Sequence, residues 1–431
     1  MQRLLLAGMS HKTAPLALRE RFTLSRAQRA AAIQRFRALY PECEIVVLST
    51  CNRVEIYIAR EVHGHPRMAE LVGFLQTCGI EPNKPADLAS VVHTETQFGV
   101  AEHLFAVAAG VESMVVGETQ IIGQVREAYE EACNLGSAGP MLNPLFQRAI
   151  AAGKAATTAI AHRGDAPSIA SAAMHLVRQT AGPLGAKSVL SIGAGDVSRQ
   201  VLNYLRAIGP ARLLISNRTD ETARALAREY SGETVDFSRL AEGIALADVV
   251  VTSTSSRRPI VGLRHFERST VTVQPPKLLM DLGVPRDIEP VVRSLPGILL
   301  HDLDDLGNTV SGSTRQSTGS SSAAEAILRE HLHDYAAWQR ARDFGPTIAS
   351  LYDRYHVLAE EELQRAIAGM SMQSPADVAR LRGFAERMVN KLLHDPVQSL
   401  READSLQSPA HNYAEVLRKL FKLPTPPEEE I

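Results

Sequence analysis

The stretch Ser49-Thr50-Cys51-Asn52-Arg53-Val54-Glu55-Ile56-Tyr57 sets a thiol among small polar residues. It lies between two β-branched runs, Glu44-Ile45-Val46-Val47-Leu48 and Val54-Glu55-Ile56-Tyr57-Ile58, which read as strands. Cys51 therefore falls on a turn, held by its flanks yet reachable. The thiolate is the nucleophilic form of cysteine, and the Arg53 guanidinium two residues on is expected to favour it. The competing account is an inert, half-buried filler. His103 adjoins a stripe of Val100, Leu104, Val107 and Val111 at helical spacing. An imidazole ordinarily titrates near neutrality, so His103 would serve as an acid or base facing the thiol; a core histidine bonded to a carbonyl is the alternative. Gln120 and Gln124 share one helix face. Their amides can read a polar ligand through both donor and acceptor ends, or be ordinary exposed helix formers.

A second chemistry lies downstream. Ser188-Val189-Leu190-Ser191-Ile192 reads as a buried strand, and Gly193-Ala194-Gly195-Asp196-Val197-Ser198 opens a helix through Leu205. The glycines let backbone N–H groups approach a pyrophosphate at the helix N-terminus, with Ser198 in the third small position. The next strand, Arg212 to Ser216, ends in Asn217-Arg218-Thr219. An NAD-specific site usually places an acidic residue there for the ribose hydroxyl. Arg218 suits a 2′-phosphate instead, so NADPH is expected rather than NADH. No metal site is expected.

These groups need a scaffold. Residues 1–60 read strand, helix, strand, strand, with Ser25 capping a helix to Leu39. A helix is expected from Arg67 to Gly79, a strand at Val91-Val92-His93, and helices at 101–111, from Gly117 onward and over 144–162. Ser168 reads as the N-cap of a linker helix to about Ala181. Apolar runs at 247–254, 277–282 and 297–300 alternate with helices, as in a doubly wound sheet. Gly307 to Ser322 is rich in Ser, Gly and Thr, as a linker or hinge would be. Beyond it the pattern is helical over 323–344, 346–369, 375–393 and 410–421. Leu351, Leu358, Leu363, Tyr352 and Tyr355 suggest an apolar face there, so a homodimer is expected through this region. The tail from Pro424 to Glu430 reads as disordered. The fold class is α/β multidomain: a small α/β catalytic domain over 1–163, a doubly wound (Rossmann) NADP-binding domain over 164–306, and an all-helical dimerisation domain over 307–431.

Bulk properties narrow the classes further. The chain has 431 residues, 45% hydrophobic and 22% charged, with a formal net charge of −2. That balance gives no general pull toward DNA or a membrane, so an RNA contact must come from a local patch. Arg19, Arg21, Arg26, Arg29, Arg35 and Arg37 crowd one region, either as a solvated helix face or as a surface for a polyanion. Four cysteines without a CxxC pair indicate a reducing compartment. No apolar run reaches bilayer length, and a cytoplasmic location is expected.

A cysteine nucleophile and a hydride donor together suggest thiolate attack on an activated acyl carbon, then reduction of the thioester to an aldehyde. At this point the sequence resembles the glutamyl-tRNA reductase family. The resemblance is carried by Gly8-Met9-Ser10-His11-Lys12-Thr13-Ala14-Pro15, the Leu48–Tyr57 run, and His103-Leu104-Phe105 through Ser113. Gly117-Glu118-Thr119-Gln120, Gly123-Gln124, Gly193-Ala194-Gly195, Asn217-Arg218-Thr219 and Val284-Pro285-Arg286-Asp287 add to it. It implies NADPH-dependent reduction of glutamyl-tRNA(Glu) to glutamate-1-semialdehyde, the entry to tetrapyrrole synthesis. It implies Cys51 as nucleophile and His103 as its activity-critical partner. A glutamyl pocket of Thr50, Asn52, Arg53, Ser113, Glu118, Thr119, Gln120 and Gln124 follows, with Arg53 the natural fork for the substrate's side-chain carboxylate. Gly193, Ala194, Gly195, Asp196, Val197, Ser198, Asn217, Arg218 and Thr219 would hold the cofactor. The family also dimerises through its helical domain and passes the aldehyde to an aminomutase. Two departures stand out: Thr119 replaces a usual proline, and Gly307–Ser322 is more Ser/Gly-rich than the family's long connecting helix. An alcohol or shikimate-type NADP dehydrogenase is one rival, needing no cysteine; a non-catalytic tRNA- or nucleotide-binding sensor is another.

Overall fold

Seven consecutive buried residues, Leu4–Ser10, form strand β1, the axis of the first sheet. Leu5, Ala7 and Met9 in it face one core while the buried residues between them point to the opposite side, as expected for a strand covered on both sides. The computed structural model describes residues 3–60, 64–79, 88, 90–115, 118, 120–161, 168–266, 277–313, 318–369, 374–402 and 416–423. The expected domain boundary at 163–167 and the expected disordered tail lie outside these residues, as do Gly117 and Thr119.

After β1 come α1 (Leu16–Phe22), α2 (Arg26–Leu39), β2 (Glu44–Ser49), β3 (Arg53–Ala59), α3 (Met68–Thr77) and β4 (His93–Thr96). Helix α1 is an addition to the expected strand, helix, strand, strand. Its seven residues are too few for a periodic signal to stand out. The strands pair antiparallel in the order β2-β3-β1-β4. The β2–β3 hairpin puts Thr50–Asn52 at its tip. Helices α4 (Phe98–Ala108), α5 (Gln120–Asn134) and α6 (Leu142–Ala161) cover one side.

The chain then builds a second sheet: α7 (Ile169–Ala181), β5 (Ser188–Ile192), α8 (Asp196–Ile208), β6 (Arg212–Ser216), α9 (Asp220–Tyr230), β7 (Glu233–Thr234), α10 (Leu240–Leu246), β8 (Val249–Thr252), β9 (Lys277–Asp281) and β10 (Ile298–His301). All pairings are parallel, in the order β10-β9-β8-β5-β6-β7. That is the doubly wound order, with the direction of winding reversing between β5 and β8. Helix α7 is no free linker. Ile169, Ala173, Met174 and Val177 are buried in the same cluster as β5, β8 and β9.

The Ser/Gly/Thr-rich stretch read as a hinge is largely helical. It falls within α11 (Leu303–Ser313) and the start of α12 (Thr318–Ala368), and residues 314–317 lie outside the description. Leu303 and Leu306 are fully buried in the parallel-sheet core, and such packing outweighs weak helix propensity. Helix α12 also continues through Pro346, where a break was expected, and α13 (Pro375–Glu402) continues through Pro396. The chain divides into two compact units, residues 2–329 with both sheets and residues 330–431. In the second, Leu351, Val389, Leu393, Val397 and Leu423 form a core with Ile348, Tyr352, Tyr355 and Phe421 against it. Leu363 is buried, whereas Leu358 points out. No described helix is long and apolar enough to cross a membrane.

Candidate active site

The cysteine turn is shaped by its own polar residues. Thr50 Oγ1 accepts from the amides of Asn52 and Arg53, both at 3.1 Å, and the Thr50 amide donates to Arg53 O at 2.8 Å. Arg19 Nη1 donates to the Cys51 carbonyl at 2.8 Å, and the same guanidinium meets Asp304 Oδ1 at 2.5 Å. Asn52 is buried, and its Oδ1 has no hydrogen-bond partner among the described residues. Cys51 keeps intermediate exposure. It packs against the cluster that also receives Ala194 and Val197 of the glycine turn. The cysteine turn of one sheet and the dinucleotide turn of the other thus pack onto one shared core, that of the parallel sheet.

The expected thiolate-favouring field is not what surrounds this sulfur. Burial, and secondly the Glu118 carboxylate, push the Cys51 thiol up to about 11; Arg19 and Arg53 oppose this without overcoming it. Arg53 is turned away because it has a nearer anion. Its side chain is 1% exposed, its Nη1 lies 2.7 Å from Glu55 Oε1, and its Nη2 donates to the Glu112 carbonyl. A free fork for a substrate carboxylate is therefore not the arrangement here. Sequence reading passed over Glu55 because it sits mid-strand, where charged residues normally face water.

Glu55 is the centre of the polar cluster. Burial alone would raise its carboxyl, yet Arg53, then His103 and His93, hold it far below the usual carboxylate range. It accepts from Tyr57 Oη at 2.6 Å through Oε2, and Oε1 lies 2.9 Å from His103 Nε2. His103 is thereby gripped by its ring nitrogen, with 15% of the side chain exposed. His11 was also passed over: its Nδ1 is buried without a hydrogen-bond partner among the described residues, and burial followed by Arg53 and Arg19 pull its pKa down to about 4. Ser113 and Glu118 are buried, and burial raises the Glu118 carboxyl to about 7.

The two glutamines do share a face, and it looks onto a cleft of about 990 Å³. Gln120, Gln124 and Arg126 of α5 line one side; Ala194, Gly195, Asp196 and Val197, with Asn217 and Arg218, line the other. The cleft fits a dinucleotide for reasons visible in the turn. Gly193 adopts φ of 121°, and a Cβ there would sit 2.1 Å from Ser253 O. Ser198 Oγ donates to that same carbonyl at 2.9 Å, locking β5's turn to the end of β8. Gly195 caps α8, and a Cβ there would meet open space, so the helix N-terminus is bare for a phosphate. Thr219 is the N-cap of α9 and accepts through its carbonyl from Asn217 Nδ2 at 3.2 Å. The far wall includes Ser253 and Thr254, a segment not singled out in the sequence. Beneath it Thr254 Oγ1 and N both bond to buried Asp287, and Asp281 accepts from Thr252 Oγ1 at 3.1 Å. Burial raises both carboxyls, Asp281 to about 7 with Asp287 adding, and Asp287 to about 6.

The arginine-rich region is mostly consumed internally. Arg29 pairs with Glu131 at 2.7 Å and Glu127 at 3.0 Å, Arg35 lies over the Phe74 ring, and Arg37 donates to Leu135 O. Arg19 is buried at the cysteine turn. The Arg29, Arg35 and Arg37 contacts bind α2 to neighbouring helices and to the turn after α5, while Arg26, Arg35 and Arg37 stay exposed, as on a partly solvated helix face.

A doubly wound sheet with this glycine turn, joined to a second sheet bearing the cysteine turn, defines an oxidoreductase that uses a nicotinamide cofactor. Family models agree domain by domain. The glutamyl-tRNA(Glu) reductase N-terminal domain matches residues 7–160, the shikimate/quinate 5-dehydrogenase model matches 175–309, and the glutamyl-tRNA(Glu) reductase dimerisation domain matches 323–423. Among curated proteins, the glutamyl-tRNA reductase of Chloroflexus aurantiacus is 36% identical, the alignment covering 97% of this chain and 99% of the relative. That of Pelotomaculum thermopropionicum is 35% identical over 98% and 95%. The solved glutamyl-tRNA reductase from Methanopyrus kandleri aligns over 98% of this chain and 100% of its own, at 27% identity and a TM-score of 0.49. The chain belongs to the glutamyl-tRNA reductase family.

Proposed function

We propose that this chain reduces glutamyl-tRNA(Glu) to glutamate-1-semialdehyde with NADPH, through a thioester on Cys51. The observation that carries the reading is that Cys51 packs on the same hydrophobic core as Ala194 and Val197, so one core supports both the nucleophile's turn and the dinucleotide turn. The Cys51 thiol gives its proton to a base and its sulfur attacks the glutamyl ester carbon; Glu118, ionising near neutrality and felt at the sulfur, is suited to take that proton. Collapse of the tetrahedral intermediate breaks the C–O bond to the terminal ribose. His103, gripped by Glu55, returns a proton to the departing oxygen, a contribution worth roughly 10²–10⁴-fold. Thr50 holds the turn's shape, and Asn52, with its unpaired acceptor, and Ser113 offer polar contacts to the glutamyl group. NADPH, when bound, supplies the hydride that converts the thioester to the aldehyde and frees the thiolate.

Gly193, Ala194 and Gly195 would cradle the pyrophosphate, Asp196, Val197 and Ser198 set the helix start, and Arg218 would meet the 2′-phosphate. Gln120 and Gln124, which line the cleft on α5, would add their amides to the glutamyl wall. The protein acts as a homodimer through residues 323–423 and hands its aldehyde to an aminomutase. NADPH oxidation in the presence of charged tRNA tests the reading: wild-type protein turns over, and Cys51→Ser does not. A Cys51→Ser variant with full turnover favours a cysteine-independent dehydrogenase; tRNA binding without NADPH oxidation favours a sensor.

A further inference from the structure

Three residues from three elements meet over one glycine. Gly8 in β1 pairs with Glu55 of β3 on one side and His93 of β4 on the other. All three occupy the same rung of the sheet, so their side chains emerge on one face. A Cβ at Gly8 would lie 2.6 Å from Glu55 Cγ, so the missing side chain is what lets Glu55 and His93 lean together. Helix α4 lowers His103 onto the same spot.

The resulting separations suit a metal ion. His103 Nε2 is 2.9 Å and His93 Nε2 3.6 Å from Glu55 Oε1, and one ligand atom from each residue lies within 4.8 Å of the others. Ligands about 2.0–2.1 Å from a tetrahedral zinc stand about 3.3 Å apart, between those two values. His93 has a further peculiarity: neither ring nitrogen finds a hydrogen-bond partner among the described residues, although both are buried. Ring nitrogens buried without a hydrogen bond are costly unless something else uses the lone pair, although the His93 side chain as a whole is 20% exposed. The remaining parts of a site are present. Tyr57 Oη anchors Glu55 Oε2, as outer-shell donors orient carboxylate ligands. Two imidazoles and a carboxylate leave a fourth position open, the donor set that zinc and its neighbours favour over magnesium or calcium. Arg53 shares Glu55 Oε1, and its positive charge tempers the affinity.

We propose that Glu55, His93 and His103 form a reversible site for a Zn²⁺-class divalent cation. Occupancy removes His103 from proton transfer, so the ion inhibits. The inhibition, unlike the binding, rests on the role of His103 given above.

Cobalt(II) titration of the purified full-length protein tests it, read by visible absorption. Wild type should take up one Co²⁺ with a four-coordinate N/O spectrum lacking thiolate-to-metal charge transfer. His93→Ala should bind more than roughly 10–100-fold more weakly, the range that even outer-shell changes cost. Cys51→Ser should bind as wild type does. In turnover assays Zn²⁺ should inhibit the wild type, reversibly with chelator, and inhibit His93→Ala only at correspondingly higher concentration. Absence of stoichiometric Co²⁺ uptake, uptake unchanged in His93→Ala, or a thiolate spectrum lost in Cys51→Ser overturns the site. One Co²⁺ bound at this triad without any inhibition upholds the site and instead sinks the role given to His103, so the two failures are distinguishable.

Discussion

At the scale of residues, the account turns on how a buried thiol becomes nucleophilic. Burial and Glu118 hold Cys51 as the thiol at neutral pH. Below its pKa the thiolate fraction climbs roughly tenfold per pH unit, so iodoacetamide alkylation of Cys51 in the free protein should accelerate steadily from pH 7 to 10, without a plateau. A plateau near pH 7 would mean an activated thiolate and contradict this electrostatic picture. Removing the Glu118 charge should lower the thiol's pKa, so Glu118→Gln should alkylate faster at pH 8 and yet reduce substrate more slowly. On the function proposed above, Arg218 carries the preference for NADPH. Losing a charge-assisted bond of about 1.5–3 kcal/mol, Arg218→Ala should raise KM for NADPH by roughly 10–100-fold and leave KM for NADH nearly unchanged. The positions of Cys51 on a turn, His103 on a helix and Arg218 at a strand end were legible in the sequence because flanking strands, helical periodicity and motif spacing are local signals. Glu55, His11 and His93 were not, since their company is assembled across strands far apart in sequence. Arg53 shows the converse: two residues from the sulfur along the chain, it is claimed by Glu55, and proximity in sequence misjudges its field.

Elements decide how the two chemistries are brought together. The glycine turn was legible because strand, turn and helix follow one another locally, and at Gly193 the geometry requires glycine. A Cβ there collides with Ser253 O at a φ that side chains rarely adopt. Gly193→Ala should cost about 1–3 kcal/mol of strain, lowering Tm and weakening NADPH binding at least tenfold; unchanged NADPH affinity by fluorescence titration would show that the turn does not carry the phosphates. Ion pairs tie the two sheets inside residues 2–329. Arg286 grips Glu20 with its backbone amide and its guanidinium, and Arg19 joins the cysteine turn to Asp304. None of these pairs was legible, because partners nearly three hundred residues apart leave no periodic trace. The same holds for α11. Its Ser/Gly/Thr composition speaks for a hinge, and only the buried Leu303 and Leu306 reveal why it is a helix.

For the whole molecule, family membership places dimerisation in the helical region, and α13 shows a face that fits. Phe384, Met388 and Leu392 recur every four residues and are 54%, 50% and 64% exposed within one chain. Met388→Glu with Leu392→Glu should shift the protein from dimer to monomer in size-exclusion chromatography with light scattering, while circular dichroism stays helical. A dimer that persists would move the interface elsewhere. The central claim is that the chain carries its substrate covalently on one sulfur until reduction. Mass spectrometry of wild-type protein mixed with glutamyl-tRNA(Glu) and no NADPH tests it most directly. The account predicts a glutamyl thioester on the peptide containing Cys51, discharged as aldehyde when NADPH is added; wild-type protein that reduces glutamyl-tRNA yet never acquires the adduct would contradict it.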